Sequence, residues 1–151
     1  LTKRQAIANA VITQLNTIKI ANGYKTDFPA VKHWSVEILD KADQVYCNVR
    51  DTKTDYDNST PFSETLTIDV ALGCTKKSNN YSFITNMIDD VYKCMYNAER
   101  TLQTQFGDVQ IIPVGDELDI QQFEYQVAEA VVTFQIIHSK HARWFYDERS
   151  F

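Results

Sequence analysis

A chain of 151 residues is long enough for one domain with one buried core, since at this length roughly 70% of the unfolded surface leaves water on folding. It is 44% hydrophobic and 23% charged, and no apolar run reaches the ~20 residues of a membrane-crossing helix, which excludes such a span. Net charge is −5 and the 15 lysines and arginines are scattered, with no group larger than the pairs Lys3–Arg4 and Lys76–Lys77; that distribution argues against a reader of nucleic acid, which neutralises several phosphates from one face.

Residues 1–15 place basic side chains before an apolar stretch, but Gln5, Asn9, Thr13 and Gln14 interrupt it and no small-residue cleavage site follows. The segment reads as an amphipathic helix and not as a signal peptide, and Leu1 in first place implies a start methionine before it. Ile7, Val11, Leu15 and Ile18 recur at helical spacing, with Ala8 and Ile12 widening the stripe. Thr2 is the expected N-cap and Asn22 and Gly23 the expected stop. That span of about 20 residues makes a rod of roughly 30 Å.

After the turn Asn22-Gly-Tyr-Lys-Thr-Asp27, residues 30–36 fit a short strand containing Trp34, with Pro29 at its edge or as its first residue. Residues 44–50 alternate Val45, Cys47 and Val49 with Tyr46, Asn48 and Arg50, the pattern of a strand. Residues 51–62 read as a polar loop carrying Asp51, Asp55 and Asp57. Residues 63–72 alternate strictly, with Leu66, Ile68, Val70 and Leu72 on one face, a half-buried strand antiparallel to the one before.

Ser78, Asn79 or Asn80 can cap a second helix, in which Ile84, Met87, Ile88, Val91, Met95, Ala98 and Leu102 keep to one face and Asp89 and Asp90 lie opposite. It is expected to end near Phe106 and Gly107. An apolar run at 109–114, a turn at Gly115 and Asp116, and strands at 118–125 and 129–138 follow. The last strand is apolar on both sides, so it is covered on both faces or meets another subunit. The expected fold is α+β: a mainly antiparallel sheet of four or five strands with two amphipathic helices on one face, in a single domain over residues 1–141.

No residue set announces a reaction. Cys47, Cys74 and Cys94 are odd in number and far apart, which favours buried free thiols in a reducing compartment over zinc or a redox pair. His138 and His141 have an i, i+3 spacing, but it straddles a strand end and no third ligand is fixed. His33 has no serine nucleophile to serve, the acids Asp116, Glu117 and Asp119 lack calcium-loop spacing, and the four glycines form no phosphate cradle, so no cofactor is expected. The segment 142–151 is unusual for its large aromatics, Trp144, Phe145, Tyr146 and Phe151, which either fold back over their own sheet or anchor a neighbouring subunit.

The order of elements carries a likeness. NGYKTD leading to VKHW, the hairpin ending in SETLTIDVAL, the helix YSFITNMIDDVYKCM and the closing DELDIQQFEYQVAEAVVTFQIIH together resemble the tail terminator proteins of long-tailed bacteriophages, over roughly residues 3–138. The aromatic segment from Ala142 onward departs from the pattern. The resemblance implies a structural virion protein without turnover, assembled in the host cytoplasm. Such proteins form a hexameric ring on the head-proximal end of the tail tube, stop its polymerisation and offer a docking surface to the head connector or neck. In contractile tails the ring also meets the last sheath ring. DNA passes through without specific binding, and six copies at −5 apiece, −30 in all, would repel it. On this reading Asp51, Asp55 and Asp57 face the lumen, while Trp34 is a core or ring-interface anchor. A head-completion or neck connector protein is the nearest alternative, and a small cytoplasmic ligand-binding or enzymatic domain is the alternative of another class.

Overall fold

The computed structural model describes residues 1–57 and 63–139. Strands β1 (Lys32–His33), β2 (Val45–Asp57), β3 (Ser63–Cys74), β4 (Val109–Gln122) and β5 (Gln126–Ser139) form one sheet in the order β1-β2-β3-β5-β4. Every pairing is antiparallel except that of β1 with β2. Helices α1 (Lys3–Leu15) and α2 (Asn80–Phe106) pack on one face, as the two apolar stripes require. Among the described residues no helix is long and apolar enough to cross a membrane.

Thr2 starts α1 through a reciprocal pair: its hydroxyl accepts from the Gln5 amide at 3.1 Å, and the Gln5 side chain accepts from the Thr2 amide at 2.7 Å. The helix ends at Leu15, well before the expected stop at Asn22 and Gly23. Beyond Leu15 the amides of Thr17 and Ile18 bond back only three residues, and the Asn16 side chain accepts from the Val31 amide at 3.0 Å. Ile18 is nevertheless fully buried, so the stripe outlasts the helix that began it. Gly23, at φ +91°, closes a 3-10 turn over Ile20–Asn22 instead.

The chain from Tyr24 to Val31 is tied to α2 by Asp90, whose carboxylate accepts from the amides of Lys25 and Thr26 and from the Thr26 hydroxyl. Asp90 was expected opposite the buried stripe; it is 2% exposed, because these three donors replace its water. Phe28 and Val31 then drop into the core beside Ile7, Val11 and Val91.

Two β-bulges set which residues face the helices. In β4, Val109, Ile111 and Pro113 lie opposite His138, Ile136 and Phe134, and after a register shift Asp116, Leu118 and Ile120 lie opposite Val132, Ala130 and Ala128. The inward phase thus changes from odd to even residues, and Val114 is the extra residue that absorbs the change. The expected turn at Gly115 and Asp116 is therefore a bulge inside one continuous strand. In β2 the same thing happens at Thr52: Val49 and Asp51 lie opposite Val70 and Ile68, then Thr54 opposite Leu66. The expected polar loop of residues 51–62 is thus strand as far as Asp57, paired with β3.

Gly73 is required by contact. A Cβ built there would lie 2.1 Å from the Tyr46 ring, whose hydroxyl is fixed by donating to Glu129 at 2.6 Å. The ring cannot swing aside without losing that bond. Gly73→Ala is expected to cost about 1–3 kcal/mol in urea unfolding, and Tyr46→Ala in the same chain should remove most of that cost; additive effects would show that the close approach is not what matters.

Candidate functional site

Where α1 begins, Asp51 gathers donors from α1 and from the end of β1. Its carboxylate accepts from Arg4 Nε at 2.6 Å, His33 Nε2 at 2.7 Å and Trp34 Nε1 at 2.9 Å, while Arg4 Nη2 bonds the Asp51 carbonyl oxygen at 2.6 Å. Arg4 also reaches the Thr54 hydroxyl at 3.2 Å, across the β2 bulge. Burial pushes the Asp51 carboxyl upward, but the bonds from Arg4, His33 and Trp34 outweigh it and hold the group at about 2. Asp51 is thus a buried anchor, and its expected position on a lumen-facing loop is corrected: the bulge at Thr52 leaves it on the helix side of the sheet.

Trp34 follows β1 with its amide on the Val49 carbonyl at 3.0 Å, and its backbone sits at φ +54°, a region bulky residues seldom occupy. The strain is of order 1–3 kcal/mol, and the indole bond to Asp51 helps to offset it. The side chain is held in place yet 55% exposed, so of the two expected roles, core or interface anchor, burial in the protomer's own core is excluded. Trp144, Phe145, Tyr146 and Phe151 lie outside the described residues, as does His141. His138 is buried at the end of β5; burial and the nearby Lys3 ammonium push its pKa down, against a weaker pull from Glu64 at 3.5 Å. Cys47, Cys74 and Cys94 are buried and free, and burial raises the Cys74 thiol to about 11. Among the described residues no group of three or more His, Cys, Asp or Glu could hold a metal ion.

The sheet face without helices collects the remaining acids. After the bulge, Lys53, Asp55 and Asp57 lie opposite Thr67, Thr65 and Ser63, on the side away from Leu66. Asp69 and Thr133 pair on that same side, where the threonine hydroxyl donates to the aspartate at 2.8 Å. Glu117 and Asp119 lie opposite Val131 and Glu129 there. Asp55 and Asp57 therefore join Asp69, Glu117, Asp119 and Glu129 on one surface, with Lys32, Arg50 and Lys53 among its cations. Part of the face is covered by the chain between β1 and β2: Asn48 exchanges two hydrogen bonds with Ser35, and Tyr125 donates to the Leu39 carbonyl at 3.1 Å. Strict alternation in 63–72 and 129–138 contained this face in the sequence, but the two bulges that bring Asp55, Glu117 and Asp119 onto it did not show.

Comparison of this chain with models of protein families and with curated proteins finds no match.

Because the folded-state carboxyl of Asp51 titrates at about 2 against an ordinary 3.8, its contribution is complete above about pH 4 and is lost as pH falls toward 2. The difference in urea midpoint between the wild type and Asp51→Asn should correspond to on the order of 2 kcal/mol near neutrality and vanish toward pH 2. A difference independent of pH would show that the ionised carboxylate is not the source.

Proposed function

We propose that this protein is a phage tail terminator that acts by contact: a ring that closes the head-proximal end of a tail tube and leaves a passage for DNA. The observation that carries the reading is the segregation of the sheet's two faces. One is buried under α1 and α2, and the other bears Asp55, Asp57, Asp69, Glu117, Asp119 and Glu129 against Lys32, Arg50 and Lys53. A ring built with the helix-free face inward lines its channel with carboxylates. At physiological salt the screening length is about 8 Å, so charges on the channel wall act on passing phosphates while those on the outer helices do not. Repulsion at the wall keeps DNA from adhering and favours transit.

On this reading Asp55 and Asp57, which face outward, line the lumen, while the buried Asp51 does not.

Purified protein added to growing tail tubes should stop elongation and appear as a density at one end by electron microscopy. Sealing of DNA-filled heads with no effect on tubes would instead identify a neck connector. Particles carrying Asp55→Lys, Asp57→Lys and Glu117→Lys together should eject DNA several-fold more slowly at low salt than the wild type, with the defect relieved as salt rises. Equal ejection rates would place this face away from the channel.

A further inference from the structure

We propose that copies of this chain join head to tail, with Trp34 of one copy seated in the groove between α2 and β4 of the next; the inference rests on the ring reading above and specifies its interface. β1 and β4 are the two outer strands of the sheet, so Trp34 and the groove lie at opposite edges of each copy. Joining two unlike patches leaves one of each free at the ends of a growing chain, and the series closes into a ring when the rotation per copy allows.

The projecting side suits an anchor. Trp34 is 55% exposed, but its indole is tied to Asp51 and its backbone to Val49, so little side-chain freedom remains to be lost on docking. The receiving side is a groove of about 740 Å³ with Tyr92, Met95, Ile111, Pro113 and Phe134 as its apolar lining and Lys93, Glu99 and Arg100 as charged groups around them. Tyr96 is 85% exposed at its rim. A tryptophan entering an aromatic-lined pocket at the centre of a patch is the usual form of a binding hot spot.

Charge selects this pairing over a symmetric one. β4 carries Asp116, Glu117 and Asp119 in its exposed half, while β1 presents Lys32 beside His33 and Trp34. Edge β1 against edge β4 sets the lysine against acids. Pairing β4 with β4 about a two-fold axis brings two acidic runs together, which costs affinity.

The test uses the full chain in three forms: wild type, Trp34→Ala and Tyr96→Arg. Both replaced side chains are largely exposed, and circular dichroism with thermal unfolding checks that each variant is folded. Sedimentation over a concentration series, alone and with tail tubes, should show the wild type assembling and each variant weakened by at least about tenfold. Mixed together, the variants should form one-to-one dimers and nothing larger, because each pair retains one intact Trp34 and one intact groove. Trp34→Ala assembling like the wild type overturns the interface while leaving the ring in place. So does a groove variant that alone loses assembly, which would mean that some other segment, such as residues 142–151, fills the groove. A wild type that never associates, even on tube ends, overturns the ring reading and this interface together.

Discussion

The structure depends on keeping the main apolar set of a long sheet turned toward two helices although the hydrophobic phase changes partway along two of its strands. A strand that slips by one residue exposes its whole apolar set, so the change of phase must be absorbed locally. Thr52 and Val114 do this by bulging. With them in place, Leu66, Ile68, Val132, Phe134 and Ile136 meet Val91, Met95 and Leu102 in one continuous core. Burying side chains of this size is worth about 1.5–3 kcal/mol each, far more than local strain at two bulges can oppose.

The same two bulges distribute the charge. Without the extra residue at Thr52, Asp51 and its successors would keep the odd phase, and Asp55 and Asp57 would point under α1 with no donors to meet them. With it, Asp51 alone stays inside, where Arg4, His33 and Trp34 supply three charged or polar donors to one carboxylate. Leaving such a group buried without partners would cost several kcal/mol, so the node and the bulge are conditions of one another. The Val114 bulge works likewise, keeping Leu118 and Ile120 on the core side while Glu117 and Asp119 go to the open face.

This explains what could be read from the sequence and what could not. Local signals, periodicity together with capping and glycine residues, located α2 and its end at Gly107, the alternation of β3 and the capping role of Thr2, since each depends on neighbours within one or two turns. Glycine followed by aspartate at 115 signals a turn locally, and only the requirement that Leu118 face Ala130 makes it part of a strand. The polar composition of 51–57 reads as loop for the same reason: pairing to β3 is a tertiary fact that overrides propensity. Asp90 looked solvent-facing because its donors, the amides of Lys25 and Thr26, come from a segment 64 and 65 residues away. Trp34 stood out by its rarity, yet its partner Asp51 could not be named without the register of β2.

On the proposed reading, contact falls to the surface left open once the core is closed. The helix-free face holds its acids apart from the core, and the two sheet edges differ in kind. One ends after two paired residues, beside a fixed tryptophan; the other is fourteen residues long and borders an aromatic groove. A protein with two alike edges would pair symmetrically and stop at a dimer, whereas unlike edges at opposite ends propagate. The short β1 is also the edge least able to template indiscriminate strand addition, and Pro113 with the Val114 bulge interrupts the long one. In the ring proposed above, recognition therefore falls to side chains rather than to backbone ladders, which would let a sheet protein assemble into a counted ring without also growing into a fibre.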